Sequence, residues 1–124
     1  METRLFKQLI IVVLLLSAVS VSAQKKLLIK DADTIIMTAK KCIETDLQPE
    51  GKIREIVDKH QLSGLFDVDL TINEKGEVVS VFFQQKPEIE IKKISYFREF
   101  LNSYTFPFKT PKGRKYKFNY QFNF

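Results

Sequence analysis

The chain has 124 residues, a formal net charge of +5 and one cysteine. This length is enough for one domain with one modest core, and a single cysteine excludes an internal disulfide bond. The lysines are scattered along the sequence rather than clustered, so the positive charge predicts a solvated surface and no nucleic-acid partner. A weak attraction to an anionic membrane or cell-wall surface is compatible with the same charge.

Residues 1–23 are typical of a secretory signal peptide. Arg4 and Lys7 precede an apolar run at residues 9–16, and small residues follow it up to Ala23. This layout predicts cleavage after Ala23 and a periplasmic or secreted protein. The alternative is an uncleaved membrane anchor, but the apolar part is shorter than the about 20 residues that a spanning helix needs. After cleavage we expect no stable membrane span.

Residues 24–48 are predicted to form an N-terminal helical segment. After a short charged lead-in, a helix is expected from Thr34 to about Asp46, with Asp33 as its N-cap. Cys42 lies in this helix, and a small buried hydrophobe is the favoured interpretation. A reactive or intermolecular thiol is the alternative. Apolar side chains at spacings of three and four predict the buried face: Ile36, Ala39, Ile43 and Leu47.

A second helix is predicted with Pro49 in its first turn, a position that proline favours. Residues 53, 56, 57 and 60 follow the helical spacing and predict its buried stripe. The last of them, His60, is the one histidine of the chain. No set of Cys, His or carboxylate residues with metal-ligand spacing surrounds it. We therefore interpret His60 as a packing residue and expect no metal and no other cofactor.

A β-hairpin is predicted after the second helix. Apolar and polar residues alternate over residues 66–72, which gives a strand with one buried face. Residues 73–76 form the turn, in which Gly76 is free to adopt a positive φ. The return strand is expected over residues 77–84. Its alternation is broken at Val78 and Val79, which predicts a β-bulge there.

The remaining elements are a third helix, from about Glu88 to Tyr104, and a last strand over residues 116–124. Aromatic residues occupy every second position of this strand and polar residues fill the gaps. The pattern predicts an aromatic buried face and a polar exposed face. The element order predicts an α+β fold: a two-layer structure in which a three-stranded antiparallel sheet, made of the hairpin and the C-terminal strand, packs against helices.

From Pro49 onward, the order of the elements and the residues that separate them resemble the C-terminal domain of TonB-type energy transducers. Residues 49–124 are predicted to form such a domain. The matching parts are a glycine with an alternating strand, a glycine-containing turn with a second strand, an aromatic element after the third helix, a further glycine and the last strand: residues 64–72, 73–78, 104–107, 113 and 116–124. The resemblance implies a module that pairs an exposed sheet edge with an extended segment of a partner.

Two departures from the TonB pattern limit this expectation. TonB proteins keep an N-terminal membrane helix and a long proline-rich spacer, whereas this chain has a predicted cleavable signal and no such spacer. Energy transduction is therefore not expected, and the family's binding mode is what the resemblance implies. The predicted partner is an envelope or outer-membrane protein. The predicted site is the edge of the last strand, with the backbone groups of Asn119, Tyr120, Gln121, Phe122 and Asn123.

Other interpretations of the same sequence remain open. The last strand could be an ordinary core strand with a shielded edge, or it could pair with its own copy in a homodimer. The alternative function is a soluble periplasmic inhibitor or ligand-binding scaffold that uses the sheet face. Asp67 and Asp69 share a strand face and are expected to be solvated. No phosphate loop, nucleophile elbow or CxxC motif is present, so we expect no catalytic residues and no enzymatic activity.

Overall fold

A computed structural model describes residues 26–124. The predicted signal peptide, residues 1–23, lies outside the described residues. Within them, no helix has the length and apolar character needed to cross a membrane. The elements in chain order are β1 (Leu27–Leu28), α1 (Ala32–Asp46), α2 (Lys52–His60), β2 (Leu65–Ile72), β3 (Val78–Gln85), α3 (Ile91–Asn102), β4 (Phe108–Lys109) and β5 (Tyr116–Asn123).

The main sheet has three antiparallel strands in the order β3-β2-β5. The predicted hairpin and C-terminal strand thus form one sheet, and the predicted α+β fold is confirmed. A small parallel sheet was not predicted: Leu27 and Leu28 of β1 pair with Phe108 and Lys109 of β4. Strands of this length carry too little alternation to be recognised in a sequence.

One hydrophobic core lies between the helices and the inner face of the sheet. The ring of Phe97, on α3, lies 4.9 Å from that of Phe66 and 5.2 Å from that of Phe122. The core therefore joins α3 to both β2 and β5. The apolar residues that the alternation over residues 66–72 places on one face of β2 are all buried: Phe66, Val68, Leu70 and Ile72.

Helix α1 begins at Ala32, earlier than predicted. Its N-cap is Asp31 rather than Asp33, because the Asp31 carboxylate accepts a hydrogen bond from the backbone N–H of Thr34 at 2.9 Å. Hydrogen bonds from Thr34 also hold the pKa of Asp31 below its usual value. The residues that α1 buries belong to the same core as the sheet: Ile35, Ala39 and Ile43. The N-terminal helical segment and residues 49–124 therefore share one core.

Helix α2 begins at Lys52, with Gly51 as its N-cap, so the prediction that Pro49 lies in its first turn is wrong. Glu50, which lies between Pro49 and Gly51, adopts a positive φ of 74°, and this conformation prevents the helix from starting at the proline. At the other end of α2, the ring of His60 stacks on that of Tyr96 with their centroids 4.4 Å apart.

Helix α3 begins at Ile91 and ends at Asn102, so it is shorter at both ends than the predicted helix from about Glu88 to Tyr104. A tight turn delays its start, because the N–H of Ile89 donates to the carbonyl oxygen of Pro87 at 3.0 Å. Tyr104 lies beyond the helix but is buried in the core.

The predicted hairpin turn is confirmed. The side-chain oxygen of Asn73 accepts hydrogen bonds from the N–H groups of Lys75 and Glu77, both at 3.0 Å. Gly76 has a φ of 78°. A Cβ atom at this position would lie 2.4 Å from the carbonyl oxygen of Phe108. The glycine is thus required by the conformation of the turn and by the close approach of the segment that follows α3.

Candidate functional site at the free edge of the sheet

Strand β5 pairs with β2 over its whole length without a register shift, from Leu65 opposite Asn123 to Ile72 opposite Tyr116. Just beyond the strand, Gly64 and Phe124 exchange both backbone hydrogen bonds, at 3.1 and 3.0 Å. Hydrogen-bonded and non-hydrogen-bonded pairs alternate along an antiparallel ladder. The reciprocal pair therefore establishes the direction of every backbone group of β5.

This alternation divides the backbone of β5 into two sets. The even-numbered residues direct their N–H and C=O groups at β2. The odd-numbered residues direct theirs away from the sheet, and all of them are exposed: Lys117, Asn119, Gln121 and Asn123. Within residues 26–124, these outward groups take part in no hydrogen bond. Along its whole length β5 thus presents a free edge, defined here as the outward backbone groups of these four residues.

The five predicted site residues lie on one strand but fall into both sets. Asn119, Gln121 and Asn123 belong to the free edge. Tyr120 and Phe122 direct their backbone groups at β2, and the side chain of Phe122 is buried in the core. Lys117 was not predicted, although it has the same parity as the other three and lies within the same alternating stretch.

The opposite edge of the sheet, along the start of β3, is covered by the segment that follows α3. The N–H of Val78 donates to the carbonyl oxygen of Tyr104 at 3.0 Å, and the N–H of Phe106 donates to the carbonyl oxygen of Gly76 at 2.8 Å. Thr105, which lies between Tyr104 and Phe106, forms an antiparallel β-bridge with Glu77. A partner strand could not pair with this part of β3.

Strand β3 is also interrupted twice in its pairing with β2. One register shift leaves Val79 as an extra residue and another leaves Gln84. The shift at Val79 confirms the predicted bulge. Bulges twist and bend an edge strand and make it a poor template for strand addition. Of the two sheet edges, β5 is therefore the one that is regular and open.

A polar network crosses all three strands on the outer face of the sheet. Its centre is Asp69, which is 8% exposed and was expected to be solvated. Its carboxylate accepts hydrogen bonds from the side-chain amides of Asn119 at 3.0 Å and Gln84 at 2.6 Å. The ammonium of Lys117 lies 3.7 Å away. Asn119 also donates to the carboxylate of Asp67. The network binds both edge strands to the central one.

The hydrogen bonds from Asn119, and then those from Gln84, hold the pKa of Asp69 below its usual value, against the opposing effect of burial.

Opposite Asp69 in the register lies Phe82, whose side chain is 57% exposed on the same outer face. The outer face is thus polar around one exposed aromatic ring.

A cleft of about 600 Å³ lies between α1 and the segment that follows α3. At its wall the hydroxyl of Tyr104 donates to the carboxylate of Asp46. Burial, and then this hydrogen bond, raise the pKa of Tyr104 well above its usual value. Cys42 lines the same cleft and is partly buried. Burial, and then the charge of Asp46, raise the pKa of its thiol, which disfavours the reactive thiolate.

The part of the chain that the structure describes contains no group of three His, Cys, Asp or Glu residues placed to hold a metal ion. Comparisons of the chain with protein-family models, with curated proteins and with solved structures found no match. Its function therefore has to be argued from the geometry of its own surfaces.

Proposed function

We propose that this protein is a non-enzymatic, exported binding module of the cell envelope, which takes an extended segment of an envelope or outer-membrane protein onto the free edge of β5. One observation carries the proposal: the outward backbone groups of β5 are regular and without partners in the described residues, while β3 is covered at its start and bulged twice. An added strand would exchange hydrogen bonds with these groups. The resemblance of residues 49–124 to TonB C-terminal domains supports the same mode of binding.

The surroundings of the free edge indicate the kind of segment that fits it. Alternate side chains of an added strand lie on opposite faces of the sheet. One set would lie on the outer face, beside the amides of Asn119 and Gln121. The other set would lie on the inner side, where α1 packs against β5. There burial, and then the charge of Glu44, raise the pKa of the partly buried Tyr120. Because the outer face carries the amides of Asn119 and Gln121, we expect the added segment to have polar residues on its outer side.

The test removes one outward donor without touching the core. In Gln121→Pro the outward N–H is lost and the proline ring blocks the edge, while the hydrogen bonds between β5 and β2 remain. Val81→Pro is the control on the other edge strand, because Val81 lies opposite Leu70 and therefore directs its N–H outward from β3, although its side chain, unlike that of Gln121, packs partly against the core. Circular dichroism and thermal unfolding would establish that both variants are folded.

The measurement is chemical crosslinking of the full chain in the envelope fraction of its own source, followed by antibody capture and mass spectrometry. We expect the wild type and Val81→Pro to capture the same envelope protein and Gln121→Pro to lose it. A folded Gln121→Pro variant that still captured this protein would refute edge pairing.

The same experiment addresses self-association. If the wild type captured only its own copy, and light scattering showed a dimer that Gln121→Pro converted to a monomer, the edge would serve a homodimer. In that case the proposed envelope partner would be wrong, although strand pairing through β5 would stand.

A second candidate function, a periplasmic inhibitor or ligand-binding scaffold that uses the sheet face, is favoured by the exposed ring of Phe82 on the polar outer face. Phe82→Ser separates it from the first candidate. Binding through the face would be lost in Phe82→Ser and kept in Gln121→Pro, whereas binding through the edge would show the opposite pattern.

A further inference from the structure

Lysines that are scattered in the sequence are clustered in the fold. At the end of the sheet that holds the hairpin turn, four of them line a cleft of about 530 Å³: Lys26, Lys75, Lys109 and Lys112. The ammonium of Lys26 donates to the backbone carbonyl of Lys75 at 3.2 Å, which brings two of the four together. One acidic residue, Glu74, lines the same cleft, and its carboxylate already accepts a hydrogen bond from the N–H of Gly113 at 3.3 Å. Four lysines against one carboxylate leave the cleft with a net positive charge.

Two exposed leucines adjoin these lysines. Leu27 is 70% exposed and Leu28 is 49% exposed, and Leu28 also lines the cleft. Their backbone is held by the pairing of β1 with β4, which the hydrogen bond from the N–H of Ile29 to the carbonyl oxygen of Lys109, at 2.9 Å, extends. Apolar side chains among lysines suit the boundary between lipid headgroups and acyl chains, where the ammonium groups stay with the headgroups.

A groove near the other end of the sheet is acidic. Near Phe124, whose ring lies 6.0 Å from the guanidinium carbon of Arg54, Arg54 shares a groove with three acidic residues: Glu50, Glu55 and Asp58. Strand β5 runs from Tyr116 at the lysine end to Asn123, on the side of this groove. The lysine cluster and the acidic groove thus lie toward opposite ends of the strand.

We propose that the end formed by Lys26, Lys75, Lys109 and Lys112 with Leu27 and Leu28 docks on an anionic phospholipid surface. The four ammonium groups lie against the lipid phosphates and the leucines enter the headgroup boundary. The chain enters the described part at Lys26, so residues 1–25 join the domain at this same end. In this orientation the free edge of β5 rises away from the lipid and stays accessible to a protein partner.

The test is flotation of the full chain with vesicles of phosphatidylcholine, alone or mixed with phosphatidylglycerol, at low and at high salt. Because residues 1–25 contribute equally to every variant, the readout is the ratio of binding to mixed and to neutral vesicles. We expect salt to lower this ratio in the wild type. In the triple variant Lys75→Gln, Lys109→Gln, Lys112→Gln it should fall by about fivefold per lysine removed.

The matched control removes three exposed lysines elsewhere, as Lys40→Gln, Lys59→Gln, Lys86→Gln, and should change the ratio far less. In Leu27→Ser, Leu28→Ser, binding to both kinds of vesicle should fall. An equal loss in the control would mean that net charge alone drives binding and would overturn the proposal. So would a wild type that binds both vesicles equally, or inorganic phosphate that releases the protein from mixed vesicles when chloride of the same ionic strength does not.

Discussion

The two edges of the sheet differ in almost every respect that decides whether a strand can be added. Strand β5 is unbroken in register, and its outward groups have no partner within residues 26–124. Strand β3 carries two bulges, and its start is covered through Val78 and the segment around Thr105. A sheet with two open edges can add copies of itself without limit, whereas a sheet with one open edge can form only a closed pair or a single complex. The bulges and the partial cover of β3 are therefore what make an open edge at β5 tolerable.

The largest expected change in stability comes from substitutions on the two faces of β5. The side chains on its inner face hold the strand in the core, and the free edge depends on that packing. Phe122 is 1% exposed and Gln121, its neighbour, is exposed. We expect Phe122→Ala to lower the free energy of unfolding by about 3–5 kcal/mol and Gln121→Ala to change it by less than about 0.5 kcal/mol. Urea unfolding measures both, and similar values for the two variants would contradict the assigned faces.

The next effect tests which residues of β5 direct their backbone groups at β2 and which direct them outward. Tyr120 directs its N–H at β2, opposite Val68, whereas Gln121 directs its N–H outward. Tyr120→Pro should cost about 1–3 kcal/mol or more, because it leaves a buried carbonyl of β2 without a donor. Gln121→Pro should cost less. If thermal unfolding ranked the two variants in the reverse order, the outward set would be wrongly assigned.

A smaller effect addresses the cover over β3. Gly76→Ala places a side chain at positive φ, which costs about 1–2 kcal/mol, and it also pushes against the carbonyl oxygen of Phe108. Gly113→Ala is the control, since Gly113 has a similar φ of 74° but a Cβ atom there would meet nothing within 4 Å. We expect Gly76→Ala to be the more destabilising and to speed amide exchange at Val78. The N–H of Val78 donates to Tyr104, in the segment that covers the start of β3. Equal exchange in the two variants would contradict this role.

The smallest effect concerns the polar network that joins the edges. Because the pKa of Asp69 is lowered in the folded protein, its carboxylate stabilises the fold above the ordinary aspartate pKa, and this contribution is lost as the pH falls through the folded value. Asn119→Ala removes the main cause of the shift. The difference in unfolding free energy between wild type and Asn119→Ala should therefore be largest near neutral pH and shrink in acid. Gln121→Ala provides the reference, and a difference for Asn119→Ala that stayed constant with pH would refute this account.

Sequence reasoning predicted the parts of this fold that repeat. The alternation of β2 and β5, the turn at residues 73–76 and the bulge at Val79 each follow from side-chain periodicity or turn chemistry within a few residues. Helix starts were predicted less well. Two acidic residues, Asp31 and Asp33, both suit an N-cap, and the local sequence does not distinguish them; in the structure the Asp31 carboxylate accepts the capping hydrogen bond.

The candidate site could be predicted only in part. Which strand is last is visible in the sequence, but whether its edge is open depends on where other segments pack. The cover over β3 comes from residues 104–106, and no pattern near β3 indicates it. Likewise, nothing local brings Lys26 beside Lys75, so the cationic end of the sheet was missed. Long-range contacts of this kind are set by packing rather than by periodicity.

The pairing of β1 with β4 also has a mechanical consequence. Tension applied to the chain ahead of Lys26 would act first on this bridge, which consists of two residue pairs and the bond from Ile29 to Lys109. So few hydrogen bonds hold the exposed leucines of β1 to β4 that they yield at a lower force than the three-stranded sheet, because local opening follows the regions with the fewest contacts. The bridge would peel away while the Asp31 cap and the core stayed intact, so a pull on the N-terminal side would open β1 before it reached the core.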